Sequence, residues 1–154
     1  MAITTYKATT TLLEGTAVEA DIRGHKARFE SKDAQGNTVS AATPTEMLLA
    51  SLGACQALTA RSVADKMRIH LESFQVEIEG DLDPKGYQTD NGIGYQDIRF
   101  HIKIQSDASE DKIQRLIEMV EFYCPVGRSL EKKVTVTGRS SLNGGPAKTI
   151  VHGK

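Results

Sequence analysis

The stretch that most limits what this chain can fold into is TPTEMLLASLGACQALTARS, residues 43–62. Thr43 offers the side-chain oxygen of a helix N-cap, Pro44 suits the first helical position, and Glu46 falls three residues after the cap. That is the capping-box pattern, and the spacing predicts a helix from here to about Met67. Met47, Leu48, Leu49, Leu52, Ala54 and Leu58 then set apolar side chains around most of its circumference. A helix lying on a protein surface shows one apolar stripe, whereas one apolar nearly all round has to be enclosed. A chain of 154 residues has limited means of wrapping it. A homodimer with a shared core is therefore expected.

Sheet patterning fills much of the remainder. TAVEADIRG sets Val18, Ala20 and Ile22 against Glu19 and Asp21, and HKARFE continues with Ala27 and Phe29 against Lys26, Arg28 and Glu30. SFQVEIEGDL puts Phe74, Val76, Ile78 and Leu82 on one face, and DIRFHIKIQ does the same with Ile98, Phe100, Ile102 and Ile104. A period of two with one polar face marks half-covered antiparallel strands. The Gly-, Asp- and Asn-rich residues 84–95 join the last two strands into a hairpin. Ile113, Leu116, Ile117 and Val120 are spaced for a second helix over residues 108–123. Pro125 interrupts it, a short helical turn follows to Leu130, KVTVTG reads as a last strand, and Thr149–Val151 as a short apolar element. The order predicts one α+β domain over residues 1–154, with antiparallel sheets around long buried helices. Its parts are an N-terminal sheet (1–42), a central helix (43–67), a hairpin and second helix (73–124), and a last strand and tail (125–154).

Charge and cysteine usage narrow the function. Nineteen Lys and Arg against 20 Asp and Glu leave no basic field for nucleic acid, so none is expected as a partner. No apolar run approaches membrane-spanning length, and the N-terminus lacks the basic start and apolar block of a secretory leader. A cytoplasmic protein with no membrane partner is expected, and there Cys55 and Cys124 stay reduced. His25, His70, His101 and His152 form no short ligand spacing with either cysteine, so no metal is expected. A Cys–His hydrolase would need His25, the one histidine carried on a motif, beside Cys55.

Cys55 lies three residues after Leu52 and three before Leu58, on the flank of the apolar face. A free cysteine in that position commonly does no more than pack. Cys124, however, continues the stripe of Ile113, Ile117 and Val120. Two helices, each with a cysteine on its buried side, invite the thiols to meet. Cys124 also precedes Pro125, where it can cap the following turn. The positive end of a helix lowers a thiol pKa, and Arg128, one turn on, adds to the effect. A pair of thiols permits what a lone one does not: one is oxidised to a sulfenic acid, and the other displaces water to form a disulfide.

TPTEMLLASLGACQALT, preceded by IRGHKARFE and followed about 70 residues later by FYCPVGRSL, resembles the OsmC/Ohr family of osmotically induced and organic-hydroperoxide-resistance proteins. The likeness runs through roughly residues 14–140. It implies an OsmC-like intertwined homodimer, its two central helices packed between sheets and its active sites at the dimer interface. It implies a thiol-dependent peroxidase for small organic hydroperoxides, with Cys55 the peroxidatic nucleophile and Cys124 the resolving thiol. Recycling would come from an external dithiol, such as a lipoyl group on a protein, with no bound cofactor, flavin or metal. The family's peroxidases set a Glu directly after the helix-starting Pro and pair it with an Arg from the N-terminal sheet. Here Thr45 follows Pro44 and the acid is Glu46. Nine helical residues put Glu46 about 13 Å from Cys55 along the axis and about half a turn around it, so its expected role is the capping box. Arg23, Arg28 and Arg128 all remain open as the cation beside Cys55. Met47, Leu48, Leu52 and Leu58 either line a pocket for an organic tail or serve as core. The competing expectation is a non-enzymatic OsmC-like dimer that binds a hydrophobic or thiol-bearing ligand.

Overall fold

Strand-forming residues open the chain and build β1 (Thr9–Leu12), β2 (Ala17–Ile22) and β3 (His25–Glu30), paired antiparallel in that order. The computed structural model describes residues 3–33, 35–37, 40–88, 92–131, 136–137 and 139–150. Ile22 pairs with His25, which leaves Arg23 and Gly24 as a two-residue turn with φ of 58° and 86°. Such a turn matches the twist of the strands it joins. Leu12 pairs with Val18 and Val18 with Phe29, so the three share one face of the sheet.

The capping box forms as the spacing predicts. The Glu46 N–H donates to Thr43 Oγ1 at 3.3 Å, and the Thr43 N–H donates to Glu46 Oε2 at 2.8 Å. From it runs α1 (Pro44–Met67), ended by Arg68 in the left-handed region. β4 (Leu71–Leu82) and β5 (Tyr95–Ser106) form a long antiparallel hairpin in which Phe74 faces Ile104, Val76 faces Ile102 and Ile78 faces Phe100. A register shift between Asp81 and Leu82 ends the alternation early, and Leu82 is 40% exposed instead of inward. α2 (Glu110–Tyr123) and α3 (Pro125–Glu131) follow, then a two-stranded pair of β6 (Arg139–Ser140) and β7 (Lys148–Thr149). The strand expected at KVTVTG falls largely, and Val151 wholly, outside the described residues.

The core lies where the C-terminal half of α1 meets α2 and the start of β4: Ala60, Val63, Ala64, Leu71, Leu116 and Val120 are all buried. The side of α1 turned away from α2 is different. Leu48 is 39% exposed and Leu58 is 73% exposed. By itself this chain does not enclose the helix that the sequence says must be enclosed. Nor does the N-terminal sheet supply the cover. Among the described elements, substantial packing runs within β1–β3 and, separately, joins α1 to β4, α2 and α3. The sheet is tethered by the Glu30 N–H donating to Ala42 O, by Ser40 Oγ donating to Glu30, and by a Lys32–Glu46 ion pair. Leu12, at 74% exposed, sits on its open apolar face.

One expectation about α1 needs correction. By length and mean hydropathy it does meet the measure of a membrane-crossing helix, because its alanines raise the average without an unbroken run of large side chains. It also carries Arg61, Asp65 and Lys66 and packs along β4 and α2.

Candidate functional site

The buried residues of α1 at Leu52, Gln56 and Ala60 follow a helical stripe, as do Leu116, Val120 and Cys124 on α2 and its cap. Packing one stripe on the other fixes where the cysteines go. Cys124 is 1% exposed, Cys55 is half-buried on the flank, and both are free thiols. Cys55 lies close enough to Cys124 to raise the pKa of its thiol. About 70 residues of intervening chain are thus folded so that the two sulfur atoms are neighbours.

Cys124 also caps α3. The Gly127 N–H donates to Cys124 Sγ at 3.4 Å, and the Arg128 N–H donates to Cys124 O at 3.0 Å. Pro125 suits the first position because its missing N–H would have had no helical partner. The expected lowering of this thiol's pKa does not follow, however. Burial pushes the Cys124 thiol up, the Gly127 and Val126 N–H groups oppose that, and Cys55 pushes it up further. Desolvation of a thiolate outweighs two backbone donors here, so Cys124 is held as a thiol.

The candidate supporting charges lie elsewhere. Arg128 pairs along α3 with Glu131 at 2.6 Å. Arg28 stands 3.5 Å from Glu30, and Arg23 is in the β2–β3 turn, both on the sheet that does not pack on α1. Glu46 stays in its capping box, its pKa lowered by the Thr43 N–H, the Thr43 hydroxyl and Lys32. Among the described residues no bond or ion pair joins any of these four side chains to Cys55.

Two cavities flank the thiol pair. One of about 520 Å³ is walled by Cys55, Leu58, Thr59, Ser62, Val63 and Lys66 of α1, together with Met119, Tyr123 and Pro125. The other, about 300 Å³, holds Cys124 with Leu52, Gln56, Tyr95, Phe100 and Glu121 among its walls. Leu58 and Leu52 therefore serve opposite cavities, and Met47 and Leu48 line neither. A third hollow of about 590 Å³, between α1 and β4, includes Glu46, Leu49, Ala54 and Phe74. In the Cys124 cavity Gln56 Nε2 donates to Glu121 at 3.1 Å, while its buried Oε1 has no partner among the described residues. Apolar spacing singles out neither Gln56 nor Lys66, both of which line these cavities. Lys66 had a signal: Cys55, Thr59, Ser62 and Lys66 recur at i, i+4, i+7 and i+11. Among the described residues no group of three or more His, Cys, Asp or Glu is placed to hold a metal ion.

A family model described as OsmC-like protein matches residues 34–138, a stretch containing both cysteines. The chain belongs to the OsmC-like protein family. It is 29% identical over 109 residues to a hydroperoxide reductase of Mycoplasma pneumoniae, covering 71% of this chain and 72% of that one. A hydroperoxide reductase of Mycoplasma genitalium is 28% identical over 113 residues, with the same coverage. Among solved structures, an OsmC-like protein from Mycoplasma pneumoniae superposes with a TM-score of 0.75 at 25% identity, over 83% of this chain and 88% of that one. An OsmC-like protein of unknown function from Vibrio cholerae gives 0.71 at 14% identity, over 85% and 96%, a likeness of fold alone. The α+β, OsmC-like architecture expected from the residues is the one observed.

Proposed function

We propose that this OsmC-like protein is a thiol-dependent peroxidase that reduces small organic hydroperoxides in the cytoplasm. The observation that carries the reading is the pair of free thiols, one buried under the other, with a cavity opening on Cys55. The two relatives named hydroperoxide reductase support it.

In this reading the Cys55 thiolate attacks the terminal oxygen of the hydroperoxide. An S–O bond forms, the O–O bond breaks, and the alkoxide leaves to be protonated to an alcohol. Cys55 is then a sulfenic acid. Cys124 attacks that sulfur, hydroxide leaves with the thiol proton as water, and the disulfide closes. An external dithiol, such as a lipoyl group on a protein, reopens it and is itself oxidised to a disulfide. Proximity makes the second step fast, because it is intramolecular between packed neighbours.

The thiolate needs a cation. A homodimer answers that need and the exposed apolar surface together. Leu48 and Leu58 on α1, and Leu12 beside the half-buried Val18 and Phe29 on the apolar sheet face, lack cover within one chain. A sheet from a second copy laid over α1 would bury both and carry Arg23 or Arg28 toward Cys55.

Purified protein with cumene hydroperoxide and dithiothreitol tests the proposal. Peroxide consumption that is lost in Cys55→Ser, with a Cys55–Cys124 disulfide found by peptide mapping, is expected. Neither consumption nor disulfide would overturn it. A ligand-binding dimer without turnover is the competing reading, favoured by the absence of a described arginine contact to Cys55. Slow alkylation of Cys55 near neutral pH would select it.

A further inference from the structure

We infer that the cavity holding Cys124 is a binding site for a small primary amine in its ammonium form, carried on a compact apolar body, and that Gln56 Oε1 and the Glu121 carboxylate receive its N–H groups. The site is separate from the cavity that opens on Cys55, and the inference does not depend on the peroxidase reading.

A buried oxygen with nothing to accept carries the inference. Gln56 of α1 is 1% exposed and lines this cavity. An ionised carboxylate accepts hydrogen bonds and donates none, so Glu121 fixes which end of the amide faces it: Gln56 Nε2 donates to Glu121 at 3.1 Å. Oε1 is thereby the free end of the amide, buried and without a partner among the described residues. A buried acceptor in that state is costly, and native proteins pair nearly all of them. The polar neighbours in the same walls are already engaged. The Tyr95 hydroxyl donates to Thr45 O, and Gln96 Nε2 donates to the Gly92 and Gly94 carbonyls. A donor brought by a ligand would complete the site.

Charge selects the kind of donor. Asp97, Glu121 and Glu131 are among the walls, and among the described residues no Lys or Arg is. Glu131 is matched by Arg128. Asp97 shares Arg99 with Glu79 and Asp81, one cation among three carboxylates. Glu121 makes no ion pair among the described residues, and its bond to Gln56 is to a neutral group. A ligand that brings positive charge together with N–H groups satisfies Oε1 and Glu121 at once, and charge-assisted hydrogen bonds are the stronger kind. Leu52, Ile98, Phe100 and Leu130 supply apolar walls for the rest of it. The volume of about 300 Å³ is the lower end of the roughly 300–1,000 Å³ usual for small-molecule sites, which suits a single ring on a short chain. A quaternary ammonium has the charge without an N–H, and an alcohol has a donor without the charge, so neither serves both groups.

Titrations of the full-length reduced protein, with no peroxide present, test this. Phenethylamine, phenethyl alcohol and phenethyltrimethylammonium are compared by calorimetry and by amide NMR of isotope-labelled protein. The amine is expected to bind about tenfold more tightly than either of the others, the scale of one hydrogen bond to a charged group. It should move the signals of the Gln56 side-chain amide and of the Gly127 N–H, which lies in the same wall. Glu121→Gln changes an exposed side chain and keeps an acceptor for Gln56 Nε2, so the fold should hold while amine affinity falls about tenfold. Gln56→Met, close in size and without a strong acceptor, should cost a similar factor. Equal affinity for amine and alcohol, or undiminished amine affinity in Glu121→Gln, would overturn the proposal. So would shifts at Thr59 and Ser62 in place of Gly127, which would put the amine in the Cys55 cavity. An absence of binding would leave Oε1 to water and overturn it as well.

Discussion

Cys124 lies buried against Cys55 and is held in its neutral form by that burial and by the neighbouring thiol. The outer, half-buried member of the pair is the one that opens on a cavity large enough for a substrate. In the proposed mechanism this asymmetry makes Cys55 the nucleophile and Cys124 the resolving thiol. In Cys124→Ser, one equivalent of cumene hydroperoxide should be consumed and then turnover should fall at least tenfold. Cys55 should accumulate as a sulfenic acid that dimedone traps. Undiminished turnover in this variant would mean that Cys124 does not resolve the intermediate.

The same burial predicts a pH effect on stability. Cys124 has a higher pKa folded than unfolded, where the ordinary value is 9.0. Above about that pH the unfolded chain gives up a proton that the native state keeps, so the native state loses ground as pH rises. Below it the contribution is constant. Urea unfolding of the reduced protein should show stability declining from pH 9 upward, with a shallower decline in Cys124→Ala. Parallel profiles for the two proteins would show that burial does not govern this thiol.

At the start of α1, Thr43 and Glu46 cap each other, and Lys32 adds its charge. Thr43→Ala should cost about 1 kcal/mol, read as a lowered urea midpoint with an unchanged slope. The Glu46 carboxylate has its pKa depressed, first by the Thr43 N–H. Its stabilisation is therefore present above the ordinary value of 4.5 and lost as pH falls through the folded one. Glu46→Gln should flatten the acid limb of the stability profile. An unaltered acid limb would mean that the carboxylate is not capping the helix.

The elements were legible because each rests on a local rule. The capping box marked α1, and the period of two marked β2, β3, β4 and β5. What covers α1 was not legible. An apolar pattern says that a face must be buried, not by which surface, and this chain leaves Leu58 largely bare. The meeting of Cys55 and Cys124 followed from two helical stripes, but the pKa direction at Cys124 did not. Helix-end donors and burial oppose each other there, and only packing decides which is larger. The choice between Arg23 and Arg28 stays open because both sit on a sheet without substantial packing on α1 of its own chain.

The last prediction concerns the hairpin beneath the site. Gly80 of β4 lies so close to Tyr95 of β5 that a Cβ there would fall 2.5 Å from the ring Cε1 and 3.2 Å from Leu49 Cδ2. The Tyr95 hydroxyl donates to Thr45 O at 2.8 Å, which ties β5 to the first turn of α1. The ring is also a wall of the Cys124 cavity. Gly80→Ala cannot fit unless the ring moves, and moving it gives up the hydrogen bond to Thr45. The substitution should cost about 1–3 kcal/mol, the range for overpacking a filled site. In a Tyr95→Ala background the ring is gone, so the same change should cost distinctly less, as expected for two groups in contact. Urea unfolding of the four proteins measures the coupling directly. Equal costs in both backgrounds would show that the Tyr95 ring is not what requires glycine at position 80.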